Sequence, residues 1–329
     1  MDNKVSIVLT YLDYCLKYFD NCMNSILSQS HNNIEIIIVD KTTNNHIKNY
    51  FDTHKVHSYK IFGDKKKAGF AENYNVGIRN SSGSYVFVLN PDTTIDSHCV
   101  KGLVDAFTID PSIGCISPKL LRMDENNEIY DPRVIDSAGM CITKYIRHYD
   151  RGAGVKDVGQ YENTAFVFGA TGAAVIFKRD CLEDIKIDDE YFDEDFEFGR
   201  EDADICWRLN NYGWRCLFYP HSVVYHVRTA RPGKRSMISS YTNLHSVKNR
   251  YLLILNNVSL ASYLKTVPFI LSRDLLIVGY VLLREWSSIP GILYILGNMG
   301  RLLKKRKRIR MKSKEDTSRF WFGKEYVDL

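Results

Sequence analysis

Acidic side chains are concentrated in residues 193–204, which contain seven Asp and Glu residues. Apolar residues then recur with helical spacing up to Gly213, which places Glu201, Asp202 and Asp204 in the first turn of a predicted helix. Carboxylates in a first turn complement the helix dipole, but seven acids exceed that need, and crowding raises the pKa of some carboxyl groups. A carboxylate with a raised pKa is suited to accept a proton, so this stretch is predicted to supply a general base.

Two further candidate groups stand where strand-like segments end. The apolar run of residues 85–89 stops at an Asn-Pro-Asp turn that ends with Asp92, and strand-like pieces in residues 216–225 precede His226. Turn formation explains the first group equally well, and a lone histidine is most often structural. A carboxylate and an imidazole brought to one sheet edge instead bind a divalent cation, so Asp92 and His226 are candidate metal ligands.

The elements that must position these groups alternate between strand and helix patterns. Apolar runs predict strands at residues 5–10, 34–39, 59–62, 85–89 and 114–121, and helical spacing predicts helices at residues 16–27, 69–80 and 98–110. This alternation predicts a mainly parallel α/β sheet with right-handed crossovers. Because ligands bind beyond the carboxyl ends of parallel strands, Thr10, Asp40 and Asp92 are expected together at the binding edge.

Two common nucleotide-binding motifs do not occur in the sequence. No Gly-x-Gly-x-x-Gly follows the first strand and no Gly-x-x-x-x-Gly-Lys-Ser/Thr is found, which argues against a dinucleotide oxidoreductase and a P-loop enzyme. Residues 122–165 are polar with weak periodicity and predict no element. Residues 166–177, which include Gly169, are small and apolar, so their backbone either approaches a ligand or packs closely against another element.

The composition is that of an ordinary globular protein, since 45% of the 329 residues are hydrophobic and 25% are charged. The length permits one large domain or two ordinary ones. Eight cysteines are scattered singly without metal-binding spacing, which predicts buried thiols in a reducing compartment. A strand pattern begins at once without a preceding signal-peptide pattern, so the catalytic body is expected in the cytoplasm.

Six segments in order resemble the family 2 inverting glycosyltransferases with the GT-A fold, especially the rhamnosyltransferase-like branch. The segments are residues 6–11, 38–40, 69–71 with 75–78, 89–92, 201–208, and 219–220 through 226. The resemblance extends over about residues 4–230. Two positions depart from the family pattern: Asn90 replaces the first acid of the usual Asp-x-Asp, and Lys41-Thr42 replaces the commoner Asn-x-Ser.

The resemblance implies a role for each candidate residue. The donor nucleotide sugar is expected to be bound by Thr10, Tyr11, Asp40, Asn75 and Asp92. Asp92 and His226 are expected to hold Mg²⁺ or Mn²⁺ on the diphosphate, and Asp202 is expected to be the base. The acceptor is expected to contact Glu201, Asp204, Trp207 and Gly169, although core packing explains Trp207 at least as well.

The expected reaction is transfer of rhamnose from dTDP-rhamnose to a hydroxyl of a lipid-linked glycan, in cell-surface polysaccharide synthesis. UDP-galactofuranose, UDP-glucose and UDP-GlcNAc are alternative donors.

The expected organisation is a catalytic domain of residues 1–257, with a donor half to about residue 115 and an acceptor half after it, and an extension of residues 258–329. A hydrolase, which also uses paired acids, does not account for Asp40 and Asp92 at the sheet edge.

The C-terminal extension combines apolar stretches with a basic segment. Residues 275–283 and 286–300 are uncharged runs, and both are shorter than the roughly 20 residues of a spanning helix. They are typical of helices that lie in a membrane interface, with the cluster Lys304–Arg308 attracted to anionic headgroups. We therefore expect a peripheral protein on the inner face of the cell membrane. The alternative is packing against the catalytic domain or in a homodimer, and no nucleic-acid partner is expected because few aromatics interleave the basic residues.

Charge is divided unevenly along the chain. The formal net charge is +5, but residues 301–314 contain nine Lys and Arg residues and no acid. The rest of the chain therefore carries about −4.

Overall fold

The computed structural model describes residues 3–54, 56, 58–63, 69–228, 238–314 and 317–329. In chain order the strands are β1 Val5–Tyr11, β2 Ile34–Asp40, β3 Tyr59–Gly63, β4 Tyr85–Leu89, β5 Thr93–Ile95, β6 Ile113–Arg122, β7 Ile135–Ser137, β8 Met140–Ile142, β9 His148–Asp150, β10 Ala165–Val167, β11 Ala174–Lys178, β12 Arg215–His226 and β13 Val327–Asp328. The α-helices are α1 Phe19–Leu27, α2 His46–His54, α3 Phe70–Arg79, α4 Cys99–Ala106, α5 Arg179–Ile185, α6 Glu201–Asn211, α7 Ser240–Asn257, α8 Leu260–Arg284, α9 Ile289–Gly297, α10 Met299–Lys312 and α11 Ser318–Trp321.

One mixed sheet organises the described part of the chain. Its strand order is β13-β10-β12-β6-β11-β4-β1-β2-β3, with β5 paired to β12 and β7 paired to β6. The four strands β3, β2, β1 and β4 are parallel, whereas β11 runs antiparallel between β4 and β6. The predicted mainly parallel α/β sheet flanked by helices is therefore confirmed.

The central strands are apolar on both faces because helices cover both sides of the sheet. In β1, Ile7 and Leu9 belong to one hydrophobic cluster and Val8 to the other. Such double burial explains the continuous apolar runs of these strands. The register pairs Thr10 with Val39 and Tyr11 with Asp40, which brings the carboxyl ends of β1 and β2 together.

Residues 122–165, for which the sequence predicts no element, contain three short strands. β7, β8 and β9 have three residues each. β7 pairs with β6, while β8 and β9 form a small hairpin. Strands this short do not produce a detectable period, because two repeats of the alternating pattern need four residues.

The C-terminal helices share a core with the sheet. Leu252, Ile270, Ile295, Leu302 and Trp321 belong to the same hydrophobic cluster as Ile7 and Leu9 of β1. Strand β13 also extends the main sheet beside β10. The expected division at residue 257 therefore cuts through one continuous core.

Helix α8 is longer than the apolar runs in the sequence suggest. It is continuous over 25 residues, and it is the one described helix that is long and apolar enough to cross a membrane by length and composition. It includes Lys265, Arg273 and Asp274, which interrupt the apolar pattern in the sequence. Asp274 accepts a hydrogen bond from Arg250 Nε of α7 at 2.6 Å, so this carboxylate faces the protein, whereas Lys265 is exposed.

Candidate active site

The carboxyl ends of β1, β2 and β4 place Thr10, Asp40 and Asp92 at one sheet edge, as the strand pattern predicts. Thr10 is buried, and its Oγ1 has no hydrogen-bond partner among the described residues. Asp40 Oδ1 accepts a hydrogen bond from the Thr42 N–H at 2.8 Å, which turns the chain directly after β2. Thr10 and Asp40 are thus positioned where a ligand would approach the sheet.

Two of the expected donor residues have structural roles instead. The Tyr11 side chain is fully buried and its ring packs edge-on against Phe19, with ring centroids 4.9 Å apart. Asn75 is fully buried, and its amide oxygen accepts hydrogen bonds from the Tyr191 and Phe192 N–H groups at 3.1 and 2.9 Å. Its NH₂ group donates to Phe192 O and to Glu194. Asn75 therefore connects α3 to the segment before α6 through hydrogen bonds. The expectation that Asn75 binds the donor is corrected to this structural role.

Asp92, His226 and Asp136 form a short chain of polar contacts. His226 Nε2 lies 3.5 Å from Asp92 Oδ1, and His226 Nδ1 lies 2.7 Å from Asp136 Oδ2. His226 is the last residue of β12, and Asp136 lies in β7 on the far side of β6. The predicted convergence of Asp92 and His226 occurs, and Asp136 joins them although the sequence analysis did not identify it.

The charges of this chain shift the pKa of two of its members. Burial alone lowers the pKa of His226, but hydrogen bonds to Asp136 and Asp92 and their charges outweigh it and raise the pKa to about 9. Burial alone raises the pKa of Asp136, but His226 and Arg228 outweigh it and hold the pKa at about 2. Asp136 is therefore an anion at neutral pH.

The donor atoms at this edge suit a divalent cation, although they are few. The described residues contain no group of three or more His, Cys, Asp and Glu side chains that could hold a metal. Asp92 and His226 supply one oxygen and one nitrogen, the ligand types that Mn²⁺ accepts. Asn90 stands where the family usually has an acid, and its Oδ1 accepts a hydrogen bond from the Tyr74 hydroxyl at 3.3 Å. Two protein ligands fit an ion that is otherwise coordinated by a diphosphate and water.

Asp202 lies in the first turn of α6, as the sequence predicts. Its Oδ2 accepts a hydrogen bond from the Gly172 N–H at 3.2 Å, and its Oδ1 accepts one from the Ala203 N–H at 2.7 Å. Burial raises the pKa of Asp202 to about 6, and the charge of Asp150 adds to the increase. A carboxylate with this pKa is ionised at neutral pH and is still a better proton acceptor than an ordinary aspartate.

Gly172 provides the space beside Asp202. A Cβ atom at position 172 would lie 3.2 Å from the Phe70 ring and 3.6 Å from Asp202 Cβ. The missing side chain therefore lets the first residue of α3 and the first turn of α6 meet. The small residues of this stretch indicated close approach of this kind, without identifying which glycine provides it.

Arg228 contacts both Asp136, the partner of His226, and Asp150, whose charge acts on the base Asp202. Arg228 Nη1 lies 3.2 Å from Asp136 Oδ1, and Arg228 Nη2 lies 2.9 Å from Asp150 Oδ2. Burial raises the pKa of Asp150, and its charge in turn raises the pKa of Asp202. Alternating charges thus run from Asp92 through His226, Asp136 and Arg228 to Asp150, whose charge acts on the base.

Most of the crowded acids in residues 193–204 are neutralised within the protein. Asp204 is fully buried and lies 2.7 Å from Arg208 Nε. Asp193 and Asp195 face Lys305 Nζ at 2.6 and 3.1 Å. The expected acceptor contact of Asp204 is therefore corrected, because its side chain is enclosed in a structural ion pair.

The other expected acceptor residues divide into two groups. Trp207 is fully buried with its ring edge-on to Phe168, so core packing is its role and the acceptor contact is corrected. A Cβ atom on Gly169 would lie 2.6 Å from Cys206 Cβ, which assigns this glycine to close packing against α6. Glu201 is buried beside Asp202, and burial raises its pKa far above the usual value. Glu201 is thus the one expected acceptor residue that lies next to the base.

Comparison with known proteins gives the family to which this fold belongs. The sequence model described as "Glycosyl transferase family 2" matches residues 6–181, more than half of the chain. The chain therefore belongs to glycosyl transferase family 2, and the expected enzyme class, a glycosyltransferase, is confirmed. The rhamnosyltransferase-like branch is not identified by this match.

Curated relatives are similar over part of their length. A poly-beta-1,6-N-acetyl-D-glucosamine synthase of Staphylococcus epidermidis strain RP62A is 23% identical over 206 residues, which cover 61% of this chain and 44% of the relative. A second Staphylococcus epidermidis synthase of that name is 22% identical over 258 residues, 73% of this chain and 57% of the relative. The chain spans about half the length of the curated relatives it matches.

Solved structures with the same fold cover nearly the whole chain. GalNAc-T7 with UDP, GalNAc and Mn²⁺ has a TM-score of 0.65 at 15% identity, covering 93% of this chain and 55% of that chain. Residues 1–349 of S. aureus TarS in complex with UDP have a TM-score of 0.56 at 16% identity, covering 96% and 89%. Mannosyltransferase PcManGT from Pyrobaculum calidifontis with GDP-Man and Mn²⁺ has a TM-score of 0.51 at 12% identity, covering 95% and 86%. These similarities confirm the expected GT-A fold.

Proposed function

We propose that this protein is an inverting glycosyltransferase that moves a sugar from a nucleoside diphosphate donor to a hydroxyl group of a glycan acceptor. The observation that carries the proposal is Asp202, a partly enclosed carboxylate with a pKa of about 6, held by the Gly172 N–H at 3.2 Å. The ion pairs that begin at Asp92 and His226 end at Asp150, whose charge contributes to the raised pKa of Asp202. Family membership supports the assignment.

In the proposed reaction, Asp202 accepts the proton of the acceptor hydroxyl while that oxygen attacks the anomeric carbon. The bond from that carbon to the diphosphate breaks, and its electrons remain on the diphosphate. Asp92 and His226 would hold Mg²⁺ or Mn²⁺, and a cation bound there would offset negative charge on the departing diphosphate. Solved structures of the same fold that contain Mn²⁺ support this cation.

The donor and acceptor are proposed from the relatives and from the resemblance of the sequence. Two curated relatives are poly-N-acetylglucosamine synthases, which supports a glycan acceptor in surface polysaccharide synthesis and makes UDP-GlcNAc a donor to test. The resemblance to the rhamnosyltransferase-like branch makes dTDP-rhamnose the other donor to test. The remaining candidates, UDP-glucose and UDP-galactofuranose, share the diphosphate group that the Asp92 edge would bind.

The outer face of α8 supports a further part of the proposal, peripheral attachment to the inner face of the cell membrane. Large apolar side chains are exposed along it and just beyond it: Leu264, Leu271, Leu275, Leu276, Leu282, Leu283 and Trp286. The opposite face buries Ile270 and Val281 against the protein. A helix with one face packed and one face apolar is suited to lie in the membrane interface, close to a lipid-linked acceptor.

The basic cluster contributes less to this attachment than its sequence suggests. Lys305 is buried in ion pairs with Glu190, Asp193 and Asp195. Arg306 donates hydrogen bonds to the backbone carbonyls of Leu255 and Val258 at the end of α7. Among residues 304–308, Lys304, Lys307 and Arg308 are exposed and available to anionic headgroups, although Arg308 also lies 3.2 Å from the exposed Asp188. The expectation that the whole cluster attracts headgroups is corrected, because part of it stabilises the fold.

The experiment that tests the proposed function uses the full chain and a set of nucleotide sugars. Thermal unfolding is first measured with each donor, with and without Mn²⁺, because a bound donor stabilises the native state according to its occupancy. The stabilising donor is then incubated with the protein with and without a glycan acceptor. Release of nucleoside diphosphate that requires the acceptor supports transfer. Equal release without any acceptor indicates hydrolysis and contradicts the proposal.

A further inference from the structure

The carboxylate of Asp136 contacts three basic side chains, one through Oδ2 and two through Oδ1. Oδ2 contacts His226, whose Nδ1 lies 2.7 Å away. Oδ1 accepts from Arg122 Nε at 3.1 Å and from Arg228 Nη1 at 3.2 Å. The shortest of these contacts is the one to the histidine. Because an ionised carboxylate is only an acceptor, His226 Nδ1 must be the donor in that contact.

The position of Asp136 is fixed by the sheet. It lies at the centre of β7, between Ile135 and Ser137, which pair with Leu121 and Leu120 of β6. Only 1% of Asp136 is exposed. A carboxylate held this firmly fixes the ring plane of its imidazole partner as well as the position of the proton.

We propose that Asp136 is a positioning residue of the metal site, which keeps a proton on His226 Nδ1 and fixes the ring so that Nε2, beside Asp92, is the nitrogen that would give up its proton and bind a cation. This inference rests on the proposed function, because it requires His226 to bind the cation. His226 Nε2 faces Asp92 Oδ1 at 3.5 Å, the arrangement that two ligands of one ion require.

A purely structural role of Asp136 makes a different prediction. If Asp136 only neutralised Arg122 and Arg228, its loss would lower the stability of the fold and leave the affinity for a cation unchanged. If it positions His226, its loss weakens cation binding even where the fold is intact. The affinity for Mn²⁺ alone therefore distinguishes the two roles without an activity assay.

The test measures Mn²⁺ binding to the full-length protein by the electron paramagnetic resonance signal of free Mn²⁺. Asp136→Asn keeps the shape of the side chain, but its NH₂ group can donate to Nδ1 and favour the tautomer that carries the proton on Nε2. We expect this variant to bind Mn²⁺ about 10- to 100-fold more weakly. The control is Asp157→Asn, since Asp157 is also a buried carboxylate, 2.7 Å from Lys119 Nζ, and should leave Mn²⁺ affinity unchanged.

A double-variant cycle separates failure of this inference from failure of the proposed function. His226→Gln should weaken Mn²⁺ binding, and adding Asp136→Asn to it should cause no further loss, because Asp136 acts through His226. If His226→Gln binds Mn²⁺ like the wild type, or the wild type does not bind it, the proposed metal site is wrong and the inference falls with it. If His226→Gln weakens binding and Asp136→Asn does not, only the inference is overturned.

A second variant covers the case in which Asp136→Asn does not fold. Asp136→Glu retains the negative charge for Arg122 and Arg228 but moves the oxygen by about one bond length relative to His226. The positioning role predicts a loss of Mn²⁺ affinity in Asp136→Glu with its thermal unfolding temperature close to that of the wild type. Wild-type Mn²⁺ affinity in this variant would contradict the proposal.

Discussion

Lys305 Nζ of α10 lies 2.6 Å from Asp193 Oδ1, and both side chains are buried. This contact joins residues 112 positions apart in the sequence. Asp193 lies in the segment that leads into α6, where the proposed base Asp202 is found. A helix near the end of the chain therefore neutralises the acidic segment that precedes the catalytic helix.

Replacing Lys305 should destabilise the protein strongly. Lys305→Met leaves Asp193 buried without its cation, and removal of one partner of a buried ion pair costs about 3 to 5 kcal/mol. Urea denaturation measures this change in the free energy of unfolding. The control is Lys304→Met, an exposed neighbour on the same helix, which should change stability by less than about 0.5 kcal/mol. Equal stability of the two variants would show that the buried contact contributes little.

Asp202→Asn should abolish transfer while donor binding persists. The amide retains the shape of the side chain but accepts no proton, and loss of a general base lowers the rate by about 10²- to 10⁴-fold. Turnover is measured with the stabilising donor and its acceptor, and donor binding is measured by thermal unfolding. Asp105→Asn, at an exposed aspartate paired with Lys101, is the control and should be fully active. Turnover near the wild-type rate in Asp202→Asn would show that another residue is the base, and Glu201 is the first alternative.

The activity should fall as the pH decreases through about 6. Burial raises the pKa of Asp202 to about 6, from a usual value near 3.9. Because the ionised form is the base, the active fraction is nearly complete at pH 8 and decreases roughly tenfold per pH unit below about pH 5. The pH profile of kcat/KM is the measurement. A profile that stays flat between pH 5 and pH 8 does not agree with Asp202 as the base.

Removal of divalent cations should abolish activity, and Mn²⁺ or Mg²⁺ should restore it. Asp92 and His226 are the expected ligands, and Asp92→Ala removes the carboxylate. This variant should bind the donor diphosphate more weakly while acceptor binding is little changed. Isothermal titration of donor and acceptor in excess Mn²⁺ measures both. Full activity in the presence of a chelator would mean that Asn90, in place of the usual acid, marks a site without a metal.

Vesicles that contain anionic lipid should bind the full chain through α8. Leu276 and Leu283 are 74% and 78% exposed, so the double variant Leu276→Glu, Leu283→Glu should lose binding without unfolding. Val158, which is 82% exposed and lies outside the C-terminal helices, supplies the control Val158→Glu. Sedimentation with vesicles at low and high salt separates apolar from electrostatic attachment. If the wild type does not sediment, the membrane proposal is wrong, and sedimentation velocity then tests whether α8 forms a dimer interface.

The sequence predicts those site residues whose position follows from a nearby element. Asp92 follows a strand, His226 ends one, and Asp202 opens a helix, so a local pattern places each of them. Asp136 lies in a three-residue strand and contacts His226, which is 90 positions later in the sequence. No local pattern indicates a contact of this kind. In the sequence, Lys305 is one basic residue among the nine of residues 301–314, and nothing local singles it out because its partner Asp193 lies 112 positions away.

Long-range packing also explains the incorrect predictions. Asp204 accepts hydrogen bonds from Asn256 and Asn257 of α7, and the Trp207 ring lies edge-on to Phe322 near the C-terminus. The sequence assigned residues 258–329 to a separate extension, so the contact between Phe322 and α6 was not foreseen. The main parallel strands were predicted correctly because each of them is a run of apolar, largely β-branched residues that the sequence shows directly.

The placement of α10 and β13 also affects biosynthesis. Domains fold as units during translation, with N-terminal parts emerging first at about 5 to 20 residues per second. The core is complete only once Leu302, Lys305, Trp321 and the edge strand β13 have left the ribosome. Until then Asp193 lacks its partner Lys305, and β10 lacks its neighbour β13. A chaperone that binds the nascent chain until these residues emerge would therefore raise the yield of native protein.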